Sequence, residues 1–205
     1  MLALGTPSRF DCDVSAEAPL AASPPDQPAR RSARWVLVPL LAFALVSLLA
    51  GLVARAIEPS GKGWFDLFFS DTIHMKVWLA TAAVTLGLFQ LFTAAWIFRK
   101  LPWRKPAWVN PVHRWSGRLA FALTVPVAYH CIFKLGFQSG TDRTLWHSLL
   151  GSAFFGAFAA KVTVVELRRF PTPVLPIAGG FLFAVLIGVW YTSALWFFRQ
   201  FGVEV

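Results

Sequence analysis

The sequence predicts an all-α integral membrane protein with five transmembrane helices, of which helices two to five build a four-helix core. Three observations predict it. First, 57% of the 205 residues are apolar and only 14% are charged, with a mean hydropathy of +0.59. A soluble domain carries about 25% charged residues, so lipid is the natural solvent for most of this chain. Second, the apolar residues gather into five continuous runs. Each has the roughly 20 residues that a bilayer core requires at about 1.5 Å per residue, and none alternates with the period of two that a barrel strand needs. Third, 10 Trp and 20 Phe suit the aromatic belts of a membrane interface.

Taken in order, residues 1–33 are rich in Ala, Pro, Ser and Asp, include Ser23-Pro24-Pro25, and lack apolar periodicity. They are expected to form a disordered tail. A cleavable signal peptide fits poorly, because the apolar run starts only near Trp35, and Arg30-Arg31 lacks the rest of a twin-arginine signal. The five spans are expected at 35–54, 73–98, 115–137, 145–165 and 174–198. Pro39, Pro126 and Pro176 fall inside or near their ends, which membrane helices tolerate when neighbours re-satisfy the backbone. Gly63-Trp64-Phe65-Asp66-Leu67-Phe68-Phe69, after the first span, is too short to cross, so its aromatics are expected to dip into the interface. Gly179-Gly180 in the fifth span is read as close helix packing.

The formal charge of +9 does not signal nucleic acid, because most Lys and Arg fall in short gaps between apolar runs and report topology. Arg30, Arg31 and Arg34 precede the first span. Arg99, Lys100, Arg104, Lys105 and Arg114 lie between the second and third, and Arg168 and Arg169 between the fourth and fifth. These clusters share one side, which the positive-inside rule makes cytoplasmic. The chain is therefore expected in a bacterial cytoplasmic membrane with the N-terminus inside and the C-terminus outside. Cys12 lies in the polar tail and Cys131 deep in an apolar run, which disfavours an internal disulfide. Neither CxxC nor CxxCH is present, so any haem is held non-covalently.

Four histidines carry the chemistry: His74, His113, His130 and His147. A ligating residue inside a membrane segment is costly, which makes it a functional hypothesis, against interfacial solvation as the plain alternative. His74 and His147 fall in the first turns of helices two and four, both entering from outside. His130 lies seven residues before the end of helix three, about 10 Å deep. His113 stands alone at the inner edge. At about 100° per residue, His74 lines up with Trp78, Thr81 and Thr85, and His147 with Gly151, Phe154, Phe158 and Lys161. Lys161, the deepest charge, must face the bundle, a partner or a water-filled cavity, so His147 is expected to face inward too. Gly151 leaves room for something flat, or packs a neighbouring helix. Two imidazoles on facing helices supply the axial ligands of a low-spin haem suited to electron transfer. His74 with His147 is the first pairing, and either of them with His130 the second. A zinc or copper ion held by His74, His130 and His147 is the alternative.

Val112-His113-Arg114-Trp115-Ser116-Gly117-Arg118, followed by His130, resembles the HRxxGR…H pattern of membrane b-type cytochromes of the ferric-reductase and ascorbate-reducible superfamily. The resemblance covers about residues 72–199 and implies haem b, electron transfer and bundle-facing histidine ligands. It also draws Arg114 and Arg118 into the candidate site. The sequence departs from the two-haem pattern. His113 and His130 are 17 apart, longer than two heptads, and helix five has no histidine. One haem is therefore expected rather than two. The whole chain is also similar to a group of actinobacterial five-helix membrane proteins that lends no function.

Three functions compete. One is a b-type haem protein moving electrons near the outer leaflet, as a quinol-linked subunit whose quinone approaches Tyr129, His130 and Cys131. No extramembrane part is large enough for a nucleotide or flavin, so a redox partner protein or quinone must supply or accept the electrons. The second is a non-redox assembly or anchoring subunit. The third is a small transporter or proton pathway using Lys161, Gln90 and the histidines, although paired carboxylates and inverted repeats are missing. No Gly-x-Ser-x-Gly, HExxH or phosphate loop points to hydrolysis.

Overall fold

A computed structural model describes residues 34–60, 65–167, 169–171 and 173–203. The expected tail at 1–33, together with Lys62, Gly63, Trp64, Arg168 and Glu204, lies outside the described residues. The described chain is helical, with no strand among these residues. Its helices are α1 (Arg34–Ala56), α2 (Thr72–Ile97), α3 (Val109–His130), α4 (Asp142–Leu167), α5 (Val174–Trp190) and the short α6 (Trp196–Phe201). Two π-helical turns extend them: Cys131–Leu135 prolongs α3, and Tyr191–Leu195 joins α5 to α6. Five spans are long and apolar enough to cross a membrane, at Trp35–Ala56, Thr72–Ile97, Val109–Leu135, Asp142–Leu167 and Val174–Phe201. The protein is a multi-pass membrane protein. The ends joined by the α2–α3 and α4–α5 connections form its basic side.

Helix boundaries follow local capping more than apolar runs. The Asp71 carboxylate accepts the backbone N–H groups of Ile73 at 2.7 Å and His74 at 2.8 Å, starting α2 as an N-cap. Thr141 and Thr144 bond reciprocally, each hydroxyl accepting the other's backbone N–H. This capping-box arrangement starts α4 at Asp142, three residues before the apolar run. His147 therefore sits in the second turn, not the first. α3 begins at Val109, six residues earlier than the apolar run, because Pro111 fits its first turn, where an N–H has no helical partner. His113 is thus inside the helix rather than at its edge.

α2 packs on α3 and on α5, and α4 packs on α5, which makes α2 and α4 diagonal in a ring of four helices. Among the described residues α3 and α4 come within backbone reach along little of their length. Phe121 of α3 bridges them, stacked on Phe158 of α4 at 3.9 Å between centroids and edge-on to Phe155 at 6.3 Å. α1 lies outside this ring along α4. Phe43, Ser47, Gly51 and Ala54, at i, i+4, i+8 and i+11, are among its sheltered positions, while Leu41, Leu45, Leu48 and Leu52 are exposed to lipid. Gly156 is what lets α1 in. A Cβ there would run into the Phe43 carbonyl and the Ser47 side chain.

Gly136, at φ +65°, makes the other close approach, since a Cβ would sit 2.8 Å from the Ile57 carbonyl. Phe137 N–H then reaches the Ala54 carbonyl at 2.9 Å, and Ser60 N–H the Lys134 carbonyl at 2.9 Å. These bonds tie the end of α3 to the end of α1. Gly179 and Gly180 do not pack closely: a Cβ on either would meet nothing within 4 Å among the described residues. Close contact in the ring falls instead at Gly87, against Phe183 and Leu186, and at Gly188, against Leu150.

Candidate functional site

The four histidines share one feature of geometry: each holds its Nδ1 against an acceptor within the chain. His147 Nδ1 lies 3.2 Å from Thr192 Oγ1, in the π turn after α5. The Thr192 hydroxyl spends its proton on the carbonyls of Gly188 at 2.9 Å and Val189 at 3.0 Å, so its oxygen accepts from the imidazole. His113 Nδ1 lies 2.7 Å from Thr93 Oγ1, whose proton goes to Phe89 O at 2.9 Å and Gln90 O at 3.1 Å. His130 Nδ1 donates to the Pro126 carbonyl at 3.0 Å. His74 Nδ1 faces the Asp71 carboxylate at 2.8 Å. An imidazole anchored through Nδ1–H keeps its lone pair on Nε2, the arrangement usual behind metal-ligating histidines.

The environments differ. His147 shares its face of α4 with Phe154, only 6% exposed, and with Phe158 in the aromatic bridge, so this face does turn into the bundle. Gly151 lies one turn along on the same face, and a Cβ there would meet nothing within 4 Å. Open space therefore lies one turn from His147 on its own face, whereas Gly87 and Gly188 in the same ring are pressed against neighbours.

His74 stands edge-on to Phe197 at 5.5 Å, and Trp78 edge-on to Phe198 at 5.6 Å. Trp190 Nε1 donates to Thr81 at 3.0 Å. The upper part of this stripe thus meets α5 and α6. Lower down it leaves the bundle: Thr85 is exposed, its hydroxyl turned back to the Thr81 carbonyl at 2.9 Å, and Leu88 and Phe92 face lipid. The expected inward run from His74 to Thr85 holds only to Thr81.

His130 is 1% exposed, and its Nε2 is buried without a hydrogen-bond partner among the described residues. Nine residues separate it from Phe121, about 900° or half a turn, so it projects from the side of α3 away from α4. Phe65, from the α1–α2 connection, covers it at 4.6 Å, and Tyr129 stands edge-on at 5.4 Å. That direction counts against pairing His130 with His147. Among the described residues no group of three His, Cys, Asp or Glu is gathered to hold an ion, so a three-histidine zinc or copper site is not formed.

His113 belongs to a polar cluster at the basic end of α2 and α3. Gln90 Nε2 donates to the His113 carbonyl and to Ser116 Oγ, both at 2.6 Å. Gly117 makes room for that amide, 3.0 Å from where its Cβ would be. Lys161, partly buried on α4, lies within electrostatic range of His113 and makes no hydrogen bond or ion pair among the described residues. Arg114 and Arg118 are exposed, with the Arg118 guanidinium 5.0 Å over the Trp115 ring. The sequence reading missed Thr93 and Ser116, although the run of α2 places Gln90 and Thr93 at the depth of His113. A groove of about 540 Å³ lies between α4 and α5 beside Arg143, Trp146 and Thr192, and none of the four histidines lines it.

No curated protein matches the chain, and no solved structure matches it. One family model does, over residues 36–205, which takes in every described helix save the first residues of α1. The chain belongs to that family, DUF6529, described as a family of unknown function.

Proposed function

We propose that the protein is a b-type haem protein that transfers electrons near the side opposite the basic one, in partnership with a redox protein or quinone. The observation that carries the reading is His147. Its imidazole is anchored through Nδ1 on Thr192, on an inward face, beside the open space at Gly151. That is a donor nitrogen next to room for a flat ring. His74 is the second ligand in this reading, because α2 is diagonal to α4 and the Asp71 carboxylate fixes its ring. Haem b bound there supplies reversible one-electron exchange. The chain's own part is to orient two imidazoles, raise their basicity through Asp71 and Thr192, and exclude water with Phe154 and Phe197. The resemblance of the His113–Arg118 stretch to membrane b-type cytochromes points the same way. In this reading the basic side is cytoplasmic, in a bacterial cytoplasmic membrane, by the positive-inside rule.

The test is the visible spectrum of protein purified in mild detergent from cells supplied with haem precursor. A sharp dithionite-reduced α-band, about one haem b per chain by pyridine haemochrome, and its loss in His147→Ala with insertion intact are the expected results. A colourless wild-type protein overturns the reading and favours a non-redox assembly or anchoring subunit.

A further inference from the structure

The geometry points to an anionic-phospholipid site at the basic mouth of the seam between α3 and α4, independent of the haem reading. The Phe121–Phe158 stack sets both rings at one level. Arg118 and Lys161 each lie three residues to the basic side of it, about 4.5 Å on both helices. Arg114 lies seven residues from Phe121, within about 20° of its direction, and so continues the same stripe. Three cations from two helices thus lie on the basic side of the aromatic bridge, within about 10 Å of its level along the helix axes.

The mouth opens to the membrane. Trp115 and Leu119 on α3, and Val162 on α4, are exposed beside the three cations. Lys161 has no acidic partner among the described residues, and the one acid close by in sequence, Glu166, is exposed a turn beyond Val162 and leaves the mouth net positive. A cation this far inside a span is costly without a counter-charge. A headgroup phosphate of an inner-leaflet lipid supplies one at the right depth. Arg118 takes its oxygens through a planar fork, Lys161 as a point charge, and the acyl chains lie on Leu119 and Val162. Trp115, under the Arg118 guanidinium at 5.0 Å, holds that fork at the interface.

The full-length protein would be reconstituted with equal amounts of dioleoyl-phosphatidylglycerol and dioleoyl-phosphatidylcholine. It would then be extracted in detergent and weighed by native mass spectrometry. Phosphatidylglycerol should be retained in preference to phosphatidylcholine. The Arg118→Gln/Lys161→Gln variant should lower its retained fraction by about tenfold or more. Arg99→Gln/Lys100→Gln, which removes the same charge from the same side, should leave it within about twofold. Lys161→Arg should keep it. Should the Lys161 variant fail to fold, Arg118→Gln alone, at an exposed position, should lower retention by about threefold or more. Equal retention of the two lipids, or equal loss in the Arg99/Lys100 variant, would overturn the site in favour of unspecific attraction.

Discussion

α4 meets α1 on one face and α3 on another, and the two contacts are built in opposite ways. Toward α1, Gly156 and Gly51 strip away side chains: Gly156 abuts the Phe43 backbone, and a Cβ on Gly51 would stand 3.5 Å from Ser152 Oγ. Toward α3, Phe121 and Phe158 act as a spacer, and Gly151 faces nothing within 4 Å. In lipid, helix association rests on close packing rather than on the hydrophobic effect, so the α1 face is the adhesive one. The α3 face forgoes that packing, and it is the face that carries His147 and Lys161. Glycine does contrary jobs on the two faces: it admits a neighbour at position 156 and leaves a space at position 151.

Substitutions can break or sharpen this contrast. The largest effect is expected from Gly156→Ala, whose methyl must push the α1 backbone away, at a cost of about 2–3 kcal/mol. Thermal unfolding in detergent checks it, and an unchanged midpoint would mean that α1 rides loosely on α4. Next comes Asp71→Ala, which removes the α2 cap and the anchor of His74 but touches neither face of α4, for about 1 kcal/mol. The backbone N–H of His74, above all, holds the Asp71 carboxyl below its ordinary range. A lowered folded-state pKa stabilises above the unfolded pKa, and the gain is lost as pH falls through the lowered value. The difference between wild type and Asp71→Ala should hold from pH 8 to roughly pH 5 and shrink only below about pH 4. The smallest effect is Gly151→Ala in haem-free protein: with nothing to meet, its methyl should stabilise by about 0.5 kcal/mol through helix propensity. A loss as large as that of Gly156→Ala would show the two faces of α4 to be alike.

Much of the fold was legible because a membrane span declares itself by length and apolarity. All five spans were placed to within a few residues except where capping decides. Thr141 with Thr144, and Pro111, start helices in polar sequence, so α4 and α3 begin before their apolar runs. The site was less legible. Counting positions on one helix put His147 on an inward face with Phe154 and Phe158, because no position of that stripe is exposed. The same counting failed for Thr85, since at that level α2 turns Gly87 rather than Thr85 toward α5. His130 could not be placed at all without knowing that the α1–α2 connection folds Phe65 over the end of α3. Three histidines at similar depth looked like one cluster, but depth says nothing about direction. Direction depends on which helices are neighbours, a property of the whole chain rather than of any segment.

The two π turns carry a consequence for how this chain tolerates changes of length. A π turn holds one residue more than the α turn it replaces, and everything beyond is rotated by about 100°. Tyr191–Leu195 thereby sets the direction in which α6 offers Phe197 to His74 and Phe198 to Trp78. Deleting a single residue within Tyr191–Leu195 would scarcely shorten the last span, yet it would swing both rings off α2. Sequence length at that point encodes an angle. Relatives differing by one residue there would differ in what closes over His74, and an aligned position need not be an equivalent one.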